Sequence, residues 1–393
     1  MIQAEEARRT ILSRATALES VRLPLAYALD RVLRTAVTAE ADAPPFDASA
    51  MDGYAARRAD LGQPLRVVGE IQAGATPAAA FQPGECLRIF TGAPVPAGAD
   101  CVVKQEDVTR QDNVIRVTHP DGPDFIRRRG ENRRAGEIVL AAGTVLGPVE
   151  LAALAAVGAT RPEVARAPRC VHLVTGNELV PPDQTPVGAQ IRDSNSALVA
   201  ALLARHGAEL TGHSRVGDDL AGARAAVENF PIHDLLFISG GASVGDHDFA
   251  RPLLKALGYE LHFEAVNQRP GRPLAFGSRG AQFAFALPGN PVSHWVTFQL
   301  FVAPLLQKLQ TGVDPAPVRA RGRLAPGSRL PASDGRRIFW PCRATLVGGE
   351  TELTLLPLTS SGDGLSLVGA NALLPVPANS LDPAQPVEFI PCL

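Results

Sequence analysis

Three short apolar runs, at 170–174, 235–239 and 283–287, leave this chain few architectures, because helical patterns at 194–206, 219–229 and 292–309 alternate with them. Alternation of that kind predicts a mostly parallel sheet with helices on both faces, an α/β domain over 168–312. In open α/β sheets ligands bind beyond the carboxyl ends of the strands. Three turns rich in Gly or Pro fall there: TGNEL at 175–179, SGGASVGDHD at 239–248 and LPGNPVS at 287–293. Their shared position predicts one pocket rather than three unrelated loops.

The flanking segments read differently. Residues 2–19 have helical spacing, with Ile2, Ala7, Ile11, Leu12 and Ala15 toward one side, and a second helix is expected after Pro24 in LAYALDRVL. Pro44 and Pro45 end that pattern. From there to about 135, LRVVGEI, GECLRIF, CVVKQE and NVIRVTH read as short strands of a small β domain. In VLGPVELAALAAVGA, Pro148 suits a first helical turn and Gly158 a helix end. Residues 313–393 are β material punctuated by Gly and Pro, with RRIFWPCRATLV and TELTLLPL as the clearest strands, which implies a barrel or sandwich.

Composition removes several functions. A formal net charge of -2 gives no general attraction to nucleic acid or to an anionic membrane. Five scattered cysteines form neither a CxxC pair nor an even disulfide set, so they read as buried thiols in a reducing compartment. The N-terminus lacks the apolar core of a signal peptide, and no run of about 18 apolar residues occurs. A cytoplasmic location is the expectation.

The turns carry the chemistry. Gly240, Gly241 and Gly245 resemble an anion cradle, although the spacing is neither a dinucleotide fingerprint nor a P-loop. Asp246 and Asp248 suit Mg²⁺ or its waters, or else cap the helix that follows. Glu178 adds a carboxylate at another strand end or is a solvated loop acid, and His247 is either a surface residue or a ligand. Asp193, Ser194 and Asn195 precede a helix, where Ser194 can cap it or help hold an anion; Asp218 and Asp219 precede another. Arg269 and Arg272 stand in a proline-stiffened turn, with guanidinium geometry suited to oxyanions. The eight histidines form no zinc motif.

Taken in order, SAMDGYA, RIFTGAPVPAGADCVV, RRRGENRRAGE, VTGNEL, IRDSN, SGGASVGDHD, RPGRP, LPGNPVS and TSSGDGLSLVGAN resemble the molybdopterin molybdenumtransferase family, whose eukaryotic relative is the C-terminal part of gephyrin. The resemblance covers nearly the whole chain. It implies a helical connector from 1–45 and 136–167, a β domain at 46–135 inserted between them, a molybdopterin-binding α/β domain at 168–312 and a C-terminal β barrel at 313–393. It also implies a homodimer with a cleft between the α/β domain of one subunit and the β domain of the other, which would bring Asp52 to the site. The implied reaction inserts molybdate into adenylyl-molybdopterin with Mg²⁺, giving molybdenum cofactor and AMP.

By motif position Asp52, Glu178, Asp218 and Asp248 would be the catalytic acids, the last three as Mg²⁺ ligands. Thr175, Gly176, Ser194, Gly240, Gly241, Ser243, Gly245, Arg269, Arg272, Pro288, Gly289, Asn290, Pro291 and Ser361 would bind or shape the substrate. Asn132 stands where the family commonly has Asp, with Glu131 as a substitute if it points inward; Asn177 stands where Asp is frequent, and the RPGRP arginines where lysines are common. Activity is expected to survive these departures. The alternatives are a catalytically weak molybdopterin-binding paralogue or dimeric scaffold, a first-step adenylyltransferase, against which the two added β domains argue, and an enzyme selective for tungstate. The adenylyl donor would be a separate protein met in a transient complex, with handover to molybdoenzymes or their chaperones.

Overall fold

A computed structural model describes residues 1–76, 81–241, 249–332, 335–376 and 385–392. The chain forms two compact units, one of residues 1–21, 30–32 and 164–393, the other of residues 22–29 and 33–163.

In the first unit the elements run α1 (Ala4–Leu12), β1 (Arg169–Thr175), α2 (Asn195–Arg205), β2 (Glu209–Val216), α3 (Leu220–Glu228), β3 (Leu235–Ser239), α4 (Ala250–Ala256), β4 (Glu260–Phe263), β5 (Ala275–Arg279) and β6 (Gln282–Leu287). Helices α5 (Pro291–Thr297) and α6 (Ala303–Thr311) follow, joined by a π turn at Phe298–Val302. The sheet order is β2-β1-β3-β6-β5-β4. The first four strands are parallel, and the β5–β6 hairpin and edge strand β4 supply antiparallel pairs.

Successive strand residues face opposite sides of the sheet, so each strand feeds two cores. Leu235 and Phe237 pack with α1, α2, α5 and α6 on one face, while Leu236 and Ile238 pack with α3 and α4 on the other. Phe237 and Phe285 stack across the strands at 5.9 Å, and each such fully buried side chain is worth roughly 1.5–3 kcal/mol. The chain leaves β1 on one side to make β2 and returns on the other to make β3. The crevice beyond the ends of β1 and β3 is therefore a topological switch point.

The C-terminal strands β7 (Ala320–Leu324), β8 (Arg337–Val347), β9 (Glu350–Leu355), β10 (Ala372–Val376) and β11 (Val387–Pro391) close a ring. Long β8 makes closure possible, because its first half pairs with β10 and its second half with β9, while β7 and β11 complete the circuit. Ile338, Cys342, Leu353, Leu374 and Phe389 fill this β barrel. Residues Gln268 and Arg269 add a short parallel pair to the start of β8, at Arg337 and Ile338.

The second unit holds a six-stranded sheet in the order Cys101–Lys104, Gly53–Ala56, Glu85–Ile89, Leu65–Ile71, Val114–Val117, Val108–Gln111. Helix Pro148–Ala156 has Pro148 in its first turn, and Gly158 follows it at φ +74°, as expected. The two long N-terminal helices are not found. Helix α1 stops at Leu12 once its apolar face is buried, and after Pro24 there is only a 3-10 turn at Leu25–Tyr27. Asp30, beyond that turn, stands at φ +61°, and the amides of Leu33 and Arg34 bond instead to Thr144 and Glu163 carbonyls. Tertiary pairing here outweighs helical periodicity. No helix among the described residues is long and apolar enough to cross a membrane.

Candidate active site

A cavity of about 730 Å³ opens at the switch point, between the α/β sheet and the barrel of the same unit. Five turns wall it. The one after β1 brings Thr175, Gly176 and Glu178; the one after β2 brings Asp218; the one after β3 brings Gly240 and Gly241. The turn at 269–273 brings Arg269 and Arg272, and that after β6 brings Pro288, Gly289 and Asn290. From the barrel side come Arg336, Trp340 and the stretch Leu358–Ser361.

Local geometry explains why these turns need their glycines. Gly240 sits at φ +96°, and a Cβ there would lie 2.4 Å from the Thr175 carbonyl oxygen. Gly271 sits at φ +87°, where a Cβ would meet Thr297 Cγ2 at 2.5 Å. The backbone of β1 at Gly240, and the Thr297 side chain of α5 at Gly271, thus lie closer to these turns than a Cβ would allow.

The acids are brought together by a bridge. Asn177 Oδ1 accepts the Asp218 N–H at 3.2 Å, tying the turn after β1 to the turn after β2. Glu178 and Asp218 both line the cavity and both are exposed to it. Asp219 serves the helix instead, accepting the N–H groups of Ala221 and Gly222 at 3.2 and 2.7 Å. With Arg269, Arg272 and Arg336 the described residues of the wall carry three guanidinium groups against two carboxylates. That mixture suits an anionic ligand accompanied by a cation.

The turn after β6 is fastened from two directions. Asn290 precedes α5 but makes no cap; its Nδ2 donates to Ser361 Oγ at 2.7 Å, and Val292 N donates to the Ser361 carbonyl at 3.1 Å. Ser361 thereby clamps this turn to the barrel. His294, fully buried on α5, faces the Pro288 carbonyl at 3.2 Å, and burial pushes its pKa down to about 4.

Several expected residues lie elsewhere. Ser194 is exposed, makes no side-chain cap and is not on the cavity wall; Asp193, buried behind it, accepts both the N–H and the hydroxyl of Ser196, at 3.0 and 2.5 Å. Pro291 also stands off the wall, packing against Gly364. Ser243, Gly245, Asp246, His247 and Asp248 fall outside the described residues. Among the described residues no three His, Cys, Asp or Glu side chains gather as a metal cluster. Glu178 and Asp218 on the same wall are of the donor type that suits Mg²⁺, which keeps several waters and takes other oxygens from phosphate.

In the second unit, Asp52 accepts the N–H and the hydroxyl of Thr91, both at 2.8 Å. Those bonds hold its carboxyl below the usual range. Asn132 Oδ1 accepts from Arg127 at 2.7 Å, and Glu131 accepts from Arg127 Nε and the Arg128 N–H, each at 2.8 Å. Glu131 is committed to this turn. Asn195, Gln268, His294, Arg336 and Trp340 were not among the expected site residues; only Asn195 carried a signal, its place directly before a helix.

Comparison with known proteins agrees with the multidomain α/β plus β architecture. Residues 2–158 match the family described as MoeA N-terminal region (domain I and II), 172–308 the probable molybdopterin binding domain, and 323–392 the MoeA C-terminal region (domain IV). A molybdopterin molybdenumtransferase from Nostoc sp. is 39% identical over 366 residues, 88% of this chain and 82% of that one. Another from Synechococcus elongatus is 37% identical over 385 residues, 93% of each chain. Two crystal structures of a molybdopterin biosynthesis moeA protein from Pyrococcus horikoshii, 28% identical, superpose with TM-scores of 0.83 and 0.80 over 100% of this chain and 99% and 100% of theirs.

Proposed function

Since this chain belongs to the MoeA family of molybdopterin molybdenumtransferases, we propose that it is the enzyme that inserts molybdate into adenylyl-molybdopterin, releasing molybdenum cofactor and AMP. What supports this reading most is one wall carrying Glu178, Asp218, Arg269 and Arg272 at the switch point of the sheet. Arg269 and Arg272 bind phosphate and oxyanion oxygens, for which a planar guanidinium is the suited donor. Glu178 and Asp218 would hold Mg²⁺, which supplies charge neutralisation at the phosphoanhydride. Gly240, Gly241 and Gly289 let a flat, bulky substrate approach the backbone closely. Ser361 keeps the Asn290 side chain turned toward the barrel, leaving the adjoining turn in one arrangement.

A homodimer would let Asp52 of one protomer serve the cavity of the other, already ionised by its two bonds from Thr91. The adenylylated pterin would come from a separate adenylyltransferase in the cytoplasm and the product pass to molybdoenzymes or their chaperones. Release of AMP from adenylyl-molybdopterin by purified protein with molybdate and Mg²⁺ tests the proposal. No release, from folded protein, defeats it.

A second reading, a weak paralogue or scaffold, draws on the turn at 127–132. Asn132 carries no charge there and Glu131 is already paired with Arg127. Competition between molybdate and tungstate in the same assay separates the two oxyanion selectivities.

A further inference from the structure

Behind the cavity wall lies a second layer of polar side chains. Asn195 Nδ2 donates to the Gly289 carbonyl at 2.6 Å, and His294 Nδ1 lies 3.2 Å from the Pro288 carbonyl. Gln268 Nε2 donates to the Pro270 carbonyl at 3.1 Å and reaches that of Gly271 at 3.5 Å. A carbonyl only accepts, so His294 carries its proton on Nδ1. His294 and Gln268 are both 0% exposed, and Asn195 is half-buried.

Each of the three is satisfied at one end only. Asn195 Oδ1, His294 Nε2 and Gln268 Oε1 are buried with no hydrogen-bond partner among the described residues. A buried orphan of this kind is destabilising, and an apolar side chain of similar size would avoid it. What sets these three apart is that the other end of each holds a carbonyl of a turn lining one cavity.

Peptide planarity supplies the reason. In a trans peptide the C=O and the following N–H point in opposite directions. Holding the carbonyls of Pro270, Gly271, Pro288 and Gly289 toward the interior therefore turns the N–H groups of Gly271, Arg272, Gly289 and Asn290 outward, to the side on which these residues line the cavity. Two turns rich in Pro and Gly become a cradle of amide donors.

We propose that Asn195, Gln268 and His294 are positioning residues that fix these two turns as an amide cradle for the phosphate or metal-oxyanion oxygens of the substrate. The inference rests on the reading of the cavity as an oxyanion site. It also gives Arg269 and Arg272 a fixed frame, since both stand in or beside a turn that Gln268 holds.

The test is calorimetric titration of the full chain with AMP and, separately, with sodium molybdate, for the wild type, His294→Phe, His294→Asn and Asn195→Leu, together with thermal midpoints. Loss of the carbonyl anchor weakens anion binding about tenfold in His294→Phe and Asn195→Leu, the scale of one lost hydrogen bond. His294→Asn, whose amide N–H replaces Nδ1, binds within about threefold of wild type on the same scale. Folded His294→Phe and Asn195→Leu proteins with unchanged anion affinity overturn the proposal, even where the thermal midpoint falls, and so does a His294→Asn as weak as His294→Phe. If His294→Phe does not fold, Asn195→Leu at the half-buried helix start decides alone. A wild type that binds neither anion overturns the oxyanion reading and this inference with it, whereas binding unchanged across the variants overturns this inference only.

Discussion

Among single residues, Glu178 and Asp218 stand on the cavity wall with their side chains exposed to it. Glu178→Gln and Asp218→Asn should therefore leave the thermal midpoint nearly unchanged while AMP release falls about a hundredfold, the scale of losing one charged group that acts on the reacting phosphate. Steady-state kinetics at saturating Mg²⁺ checks this, and a rate within a few-fold of wild type would remove them from the mechanism. Asn132 carries a different expectation. Asn132→Asp adds an exposed carboxylate that would share Arg127, which is already bonded to this position and paired with Glu131. AMP release then changes by less than about threefold, since an exposed, paired charge contributes little elsewhere; a large gain would mean that the missing acid limits this enzyme.

At the level of elements, the turns depend on backbone that only glycine adopts. Gly271→Ala forces a side chain into φ +87° and against Thr297, so it costs about 1–3 kcal/mol and loosens the arginine turn as well. Chemical denaturation reads the first effect and anion affinity the second. The start of β1 is held otherwise. Arg166 donates two bonds to Asp234 at 2.6 and 2.7 Å, and the Arg169 N–H donates a third at 2.7 Å. Burial opposes the charge on Asp234, yet these bonds outweigh it and keep its pKa below the usual value. A carboxyl depressed on folding adds stability above its unfolded pKa, about 4, and loses it as pH falls through the folded value. Asp234→Asn should lower stability at neutral pH and make the acid limb of the stability curve shallower, which denaturation at a series of pH values measures.

Strands at 170–174, 235–239 and 283–287 were legible because both of their faces are apolar, and their turns because Gly and Pro punctuate them. The stretch after Pro24 misled, since its helical period is real but Leu29 stays half-exposed and its neighbours' amides pair across the fold. His294 and Gln268 were invisible for the opposite reason. Nothing in local spacing tells that a buried His or Gln meets a carbonyl belonging to a distant turn.

For the molecule as a whole, the proposed exchange of Asp52 between protomers has a numerical signature. Asp52→Ala and Asp218→Ala chains are each inactive alone, but in a randomly reassembled mixture half the dimers are mixed and each mixed dimer regains one intact site of two. Activity then returns to about a quarter of wild type, as the two-fold symmetry of such a dimer requires. Recovery of none, with mixed dimers shown by mass spectrometry, would place each site wholly within one chain.

Arg269 is held in register by the first residues of β8, and β8 is also the strand that closes the barrel by pairing on both sides. The C-terminal barrel is therefore not a detachable cassette. A chimaera that imported a relative's barrel would import a new wall for the cavity and a new rail for its arginine. Ligand preference in such hybrids should follow the match between barrel and arginine turn rather than the parentage of the α/β domain alone.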